Sequence, residues 1–207
     1  MDDTKLLVKQ SQKGDKLAFE RLVVIYQDRI YALSYQLTGN QADAQDLAQN
    51  VFVKAYQALA GFRNEADFGT WLHRITVNLS INEKRKRKPE VYLDNPVPTE
   101  EGEMPRLLAS SEESPEEAYE SMEFNAMVRS ALKQLSPEHR AVLILRDIQG
   151  FSYDEIAEIL DCSLGTIKSR INRGRQTMKE RILHMAHRHG VSLPNIQERP
   201  KGDHQGR

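Results

Sequence analysis

The chain has 207 residues, of which 39% are hydrophobic and 29% charged, and a formal net charge of −1. That length suffices for one sizeable core or two small ones. A single cysteine, Cys162, excludes an intrachain disulfide and suits a reducing compartment, and no apolar run is long enough to span a bilayer.

The start, MDDTK, is acidic and lacks the pattern of a signal peptide, so a cytoplasmic location without membrane insertion is expected. Residues 15–37 then carry Leu17, Leu22, Ile25, Tyr26, Ile30, Leu33 and Leu37, mostly at helical spacing. Thr38-Gly39-Asn40 breaks the pattern, and Asn40 is suited to cap the next helix. Between 42 and 59 the periodicity is close to ideal, through Ala44, Leu47, Ala48, Val51, Phe52, Ala55, Tyr56 and Leu59. GFRNEAD, Gly61 to Asp67, reads as a loop. A further helix runs from Phe68 into the basic run KRKRK, Lys84 to Lys88, with Phe68, Trp71, Leu72, Ile75 and Leu79 at core spacing.

Five of the eight prolines fall between Pro89 and Pro115, where no periodic apolar pattern survives. Acid- and proline-rich sequence of this kind buries too little surface to offset its ordering entropy. Helices resume near Pro115. Ser136-Pro137 is a start signal, a capping Ser with Pro at the first helical position, for a helix through Val142, Leu143 and Leu145 that stops at Gly150. Ser152 with Glu155 matches a capping box and opens a short helix with Ile156, Ala157, Ile159 and Leu160. Asp161-Cys162-Ser163 comes next as a turn. The expectation is an all-α fold of two small helical domains. The first covers 1–88 and is joined by an acidic flexible linker over 89–118 to a helix-turn-helix domain over 119–185. A disordered tail covers 186–207.

Charge follows the same division. Residues 1–88 hold 14 Lys and Arg against 10 Asp and Glu, residues 89–120 hold one base against 10 acids, and residues 121–207 again hold 14 against 10. Two basic blocks joined by an acidic strap point to nucleic acid, which the neutral total conceals.

The last helix, GTIKSRINRGRQTMKERI from Gly165 to Ile182, shows why. Ile167, Ile171, Met178 and Ile182 form an apolar stripe, while Lys168, Asn172, Arg175 and Lys179 share another flank beside Ser169, Arg173 and Gln176. Glu180 is the only acid in the stretch, so a negative counterpart outside the chain is expected for that flank. A capped short helix, a tight turn and this helix make a helix-turn-helix signature, whose second helix enters the major groove. Lys168, Ser169, Asn172 and Arg173 are placed for base edges, and Arg170, Arg175 and Lys179 for phosphates.

Other features are open to two readings. KRKRK suits either a solvated helix end or a grip on nucleic-acid backbone. The spacing of Trp71 suits a core position and a base-stacking position equally, although basic residues beside aromatics fit single-stranded DNA. His184, His187 and His189 sit close together, but no carboxylate or thiolate completes a ligand set, so no metal is assigned. Cys162 is read as a packing residue of the turn.

DAQDLAQNVFVKAYQALAGFRNEADFGTWLHRITVN, with LSPEHRAVLILRDIQGFSYDEIAEILDCSLGTIKSRINRGR after it in order, closely resembles the extracytoplasmic-function (ECF) sigma factors of bacterial RNA polymerase. The resemblance covers about residues 5–88 and 120–183. It implies two helical domains that bind core RNA polymerase through its β′ and β subunits and direct it to promoters with minus-ten and minus-thirty-five elements. The helix like 42–59 would dock on the β′ coiled coil, with Asp46, Gln49, Asn50 and Val53 at the contact. Many members have Glu in place of Asn50, so the strength of that contact is expected to differ. The loop Phe62–Asp67 matches one that captures a flipped base of the melted minus-ten element, which brings in Phe62, Arg63 and Asn64. Phe68, Trp71, Arg74 and Asn78 lie on the helix after it, and Lys84 and Arg85 at its basic end would hold backbone. Lys168, Ser169, Asn172 and Arg173 match minus-thirty-five readers, and members often have an aromatic where Asn172 stands. The acidic linker would thread toward the RNA exit channel as a mimic of RNA charge, or serve as a plain tether. The resemblance also implies an anti-sigma factor, often membrane-anchored, that covers the polymerase-binding surfaces.

No Gly-rich phosphate loop, nucleophile–base pair or metal-ligand set is evident, so neither an enzyme nor a cofactor is expected. Two rivals are a stand-alone helix-turn-helix regulator, which would clasp a palindromic duplex without polymerase, and a small helical hydrolase using the His cluster. Neither accounts for Trp71, its loop and KRKRK ahead of an acidic strap.

Overall fold

A computed structural model describes residues 3–63, 66–86 and 115–189, and every element among them is helical. In chain order these are α1 (Asp3–Gln12), α2 (Lys16–Thr38), α3 (Gln41–Ala58), a 3-10 turn (Leu59–Gly61), α4 (Phe68–Lys86), α5 (Pro115–Lys133), α6 (Pro137–Leu143), a π-helical turn (Ile144–Ile148), α7 (Tyr153–Leu160) and α8 (Leu164–His189). The expected linker lies outside the described residues as far as 114, and α5 already begins at Pro115. α8 runs to His189, beyond the boundary expected for the tail.

The helix ends follow from local chemistry. Asp15 caps α2 by accepting from the N–H groups of Leu17 and Ala18, and Asn40 caps α3 by accepting from Asp43 N–H at 2.8 Å. Between them, Gly39 stops α2 in the left-handed region at φ 80°, a conformation that costs glycine little. α1 to α4 enclose one core around Leu22, Ile30, Leu47, Val51 and Leu72, each at most 1% exposed.

A second core lies among α5 to α8 and is shared with the first unit. Leu33 and Leu37 of α2 and Val77 of α4 are buried against Leu145, Ile156 and Ile167. Each such aliphatic side chain stabilises by about 1.5–3 kcal/mol relative to exposure, so the seam between the units is an apolar joint. Polar contacts register it. Arg140 on α6 is only 4% exposed and donates to four carbonyls, those of Leu132 (2.7 Å), Lys133 and Leu135 beside the end of α5, and that of Leu37 at the end of α2 (3.0 Å). Burial lowers its pKa to about 10, still protonated at neutral pH. Lys84 on α4 donates to the same Leu37 carbonyl at 3.1 Å. Gln149 reaches Gln36 at 2.9 Å, and the His73 ring meets Phe151 edge-on, centroids 5.2 Å apart.

Gly174 on α8 is buried, and a Cβ there would stand 3.3 Å from the Leu143 side chain of α6. Gly174→Val is therefore expected to destabilise the chain by about 1–3 kcal/mol through overpacking, read from urea unfolding. His73 supplies a pH dependence. Burial pushes its pKa down, against the Gly69 carbonyl that accepts from Nδ1–H at 2.7 Å and pushes it up. The unfolded ring protonates near its ordinary 6.5 while the folded ring resists, so this stability is complete above that value and declines as pH falls through it. Melting temperature is expected to drop on acidification below about pH 6.5, and to drop less in His73→Gln.

Candidate nucleic-acid interface

The basic helix is set by the turn before it. Ser152 and Glu155 form the expected capping box, with Ser152 N–H donating to the Glu155 carboxylate at 2.7 Å and Glu155 N–H to Ser152 Oγ at 3.2 Å. Those bonds hold the Glu155 carboxyl below its usual range. α7 ends at Asp161, in the left-handed region at φ 51°, which Asp tolerates better than most residues. Ser163 Oγ then accepts from Thr166 N–H at 3.2 Å and starts α8.

The two faces of α8 separate as its sequence predicts. Ile167, Ile171 and Ile182 are 0%, 2% and 7% exposed, with Met178 packed beside them. Lys168, Ser169, Asn172, Arg173, Arg175, Gln176 and Lys179 lie on the opposite side, exposed or partly exposed. Arg170 is half-buried, its guanidinium 3.9 Å from the Cys162 sulfur. Arg175 is held by Asp147, through Nε at 3.2 Å and a second bond from Nη2. These bonds raise its pKa, although both side chains stay about half exposed and the pair contributes little to stability. Asp147 sits on the π-helical turn, where Gln149 N–H reaches back to Ile144 O at 2.9 Å. The extra residue in such a turn shifts side chains relative to an α-helix, and helical periodicity in the sequence does not reveal it.

On α4 and in the segment before it, the expected strand-contacting residues occupy several environments. Phe62 and Phe68 are 8% and 4% exposed. Phe62 stacks on Trp71 with centroids 4.7 Å apart, and Phe68 lies 5.5 Å from Trp71 and 5.4 Å from Tyr26. Trp71 is half-buried against the first core, so it packs there while part of its side chain stays at the surface. Gln12 of α1 pins the loop start by donating to the carbonyls of Leu59 (3.0 Å) and Phe62 (2.7 Å). Arg63 and Asn78 are exposed, Asn64 lies outside the described residues, and Arg85 falls on the last turn of α4. Arg74 is half-buried and pairs with Asp161 of the turn before α8 at 3.0 Å. Lys84, expected on backbone phosphate, is occupied by the Leu37 carbonyl.

Asp46, Gln49, Asn50 and Val53 lie on the outer side of α3. Beside them runs a groove of about 700 Å³ between α2 and α3, lined by Phe19, Val23, Tyr31, Phe52, Val53 and Tyr56. Helical spacing alone assigns Phe52 and Tyr56 to the core and overlooks the groove. The available signal is an apolar content of α2 and α3 wider than one buried stripe, with Val24 66%, Val53 48% and Tyr56 46% exposed. Among the described residues no three His, Cys, Asp or Glu side chains are grouped to hold a metal ion, and no helix is long and apolar enough to cross a membrane.

Residues 22–90 match the family described as Sigma-70 region 2, and residues 125–178 match Sigma-70, region 4. The chain is 39% identical over 179 residues to the ECF RNA polymerase sigma factor SigW of Bacillus subtilis, covering 86% of this chain and 96% of that one. Among solved structures it is similar to CnrH in complex with the cytosolic domain of CnrY, with a TM-score of 0.60 and 25% identity over 89% of this chain and 99% of that one. It is also similar to the sigma factor RpoE in complex with the anti-sigma factor NepR from Bartonella quintana, with a TM-score of 0.57 and 27% identity over 80% and 96%.

Proposed function

The chain belongs to the ECF sigma factors and directs promoter-specific transcription initiation, and from that premise we propose how its surfaces divide the work. α8 reads the minus-thirty-five duplex, with Lys168, Ser169, Asn172 and Arg173 on base edges and Arg170, Arg175 and Lys179 on phosphates. The observation that carries this is the polar flank of α8 opposite a stripe no more than 7% exposed. It leaves the reading side chains outside the core and able to follow a groove.

The loop from Phe62 with Arg63 and Asn64, together with Phe68, Trp71, Arg74, Asn78, Lys84 and Arg85, holds the melted minus-ten strand. The clustered aromatics and bases support this reading, since unstacked bases rest on π-faces while cations follow the backbone. Phe62 and Phe68 become available to a base when the aromatic cluster around Trp71 opens. α3, through Asp46, Gln49, Asn50 and Val53, docks on core polymerase at β′, and its apolar groove extends that contact. An anti-sigma factor competes for these surfaces, a partner supported by the NepR complex of the related RpoE. The chain acts in the cytoplasm and supplies recognition and strand capture, leaving phosphoryl chemistry to the polymerase.

Mixing the purified chain with core polymerase and mapping start sites on genomic DNA is expected to yield discrete sites sharing a two-part upstream element; dispersed starts would refute the reading. Arg173→Ala is expected to lose about 1–3 kcal/mol of discrimination, reducing initiation where the minus-thirty-five element is intact. An equal loss on every template would count against base readout. Asp147→Asn leaves Arg175 without its carboxylate, so duplex binding is expected to tighten at low salt and the log–log salt slope to steepen by about 0.9.

A further inference from the structure

A cavity of about 460 Å³ opens between the two units, with no wall from α3 or α8. It is lined by Asp28, Arg29 and Ala32 of α2, His73 of α4, and Gln149 and Phe151 of the segment between the π-helical turn and α7. That volume falls within the range of small-molecule sites. His73 is 8% exposed, and its Nδ1–H donates to the Gly69 carbonyl at 2.7 Å. The ring makes no other hydrogen bond among the described residues, and Nε2 is not sealed from solvent. Burial lowers the pKa of the ring, the Gly69 bond opposes that, and the nearby Arg29 charge lowers it further. At neutral pH the ring is therefore uncharged, and Nε2 presents a lone pair. A nine-tenths buried side chain with an unanswered acceptor at a cavity wall calls for an O–H or N–H donor from outside the chain.

The remaining walls narrow the chemistry. Arg29 is exposed and forms no hydrogen bond or ion pair among the described residues, so its planar guanidinium is open to a two-pronged bond with a carboxylate. Asp28 lines both this cavity and the groove between α2 and α3, and its charge disfavours a ligand with more than one negative group. Ala32 and Phe151 supply apolar surface for a ring. We propose that this cavity binds a small hydroxylated aromatic monocarboxylate, with its hydroxyl donating to His73 Nε2, its carboxylate on Arg29 and its ring against Phe151. Because the walls come from both units, such an occupant links the concentration of an aromatic acid to how firmly the units pair.

The test is calorimetric titration of the full chain at neutral pH with 3-hydroxybenzoate and 4-hydroxybenzoate. Benzoate and phenol serve as probes that each lack one of the two polar groups. At least one hydroxybenzoate is expected to bind saturably, about ten-fold or more tightly than benzoate or phenol, and to raise the melting temperature. Arg29→Met, at an exposed position, should remove the advantage over phenol and keep the advantage over benzoate. His73→Phe should do the reverse. A measurement on the native chain stands beside that buried substitution. The Nε2 nitrogen resonance of His73 is expected to shift when the hydroxybenzoate is added and to stay in place with benzoate. Absence of saturable binding by both hydroxybenzoates would overturn the proposal. So would an affinity unchanged by Arg29→Met, or a His73 resonance that does not respond. Neither polymerase nor DNA is present, so the outcome is independent of the roles assigned to α3, α4 and α8.

Discussion

One carbonyl oxygen organises much of this molecule. Leu37 O lies in the last turn of α2, where helical geometry leaves the carbonyls without intrahelical partners and concentrates partial negative charge. It receives two cations, Lys84 from α4 within its own unit and Arg140 from α6 across the seam. Arg140 also satisfies carbonyls at the end of α5, so one buried guanidinium ties the terminus of a helix in each unit. A lysine could not do this, because the planar fork of donors fixes several acceptors at once. A buried cation is expensive unless fully partnered, and the carbonyls around Arg140 are arranged to meet that cost. The apolar joint of Leu33, Leu37 and Val77 supplies the attraction, while the carbonyl cluster selects one geometry for it.

Function is distributed around that joint by separating load from contact. α8 gives Ile167, Ile171 and Ile182 to the core and turns Lys168, Asn172 and Arg173 outward. α3 does the same on a smaller scale, with Leu47 and Val51 inside and Asp46, Gln49 and Asn50 outside. α4 is the exception. Its Phe68, Leu72 and Val77 are structural, Arg74 and Lys84 are engaged by the protein itself, and Trp71 straddles core and surface. That mixture suits the role proposed for α4, since a strand out of its stack is present only after DNA has melted.

Most of the helices were legible because each carries its own punctuation. Asn40, Ser136 and Ser152 cap helices at the positions before apolar runs that mark them as caps. The stripe on α8 was legible because its period is unambiguous along the helix. The seam was not, because Leu33 and Leu37 continue the periodic pattern of α2, and nothing local distinguishes a residue facing its own unit from one facing a neighbour about 100 residues away. Arg140 reads in sequence as an ordinary surface cation in SPEHRAV, and only tertiary placement makes it a buried anchor. Asp161 likewise reads as a turn former, and its second role depends on where α4 comes to rest.

The division of labour on α8 has a consequence for how such a protein changes over generations. Because Asn172 and Arg173 are exposed and bear no packing burden, the proposed assignment of base contacts to them means that drift at those positions would alter which genes are switched on while leaving the scaffold intact. Duplicated copies of the chain could acquire separate regulons through a handful of surface exchanges, provided the glycine at 174 and the isoleucines behind it are kept.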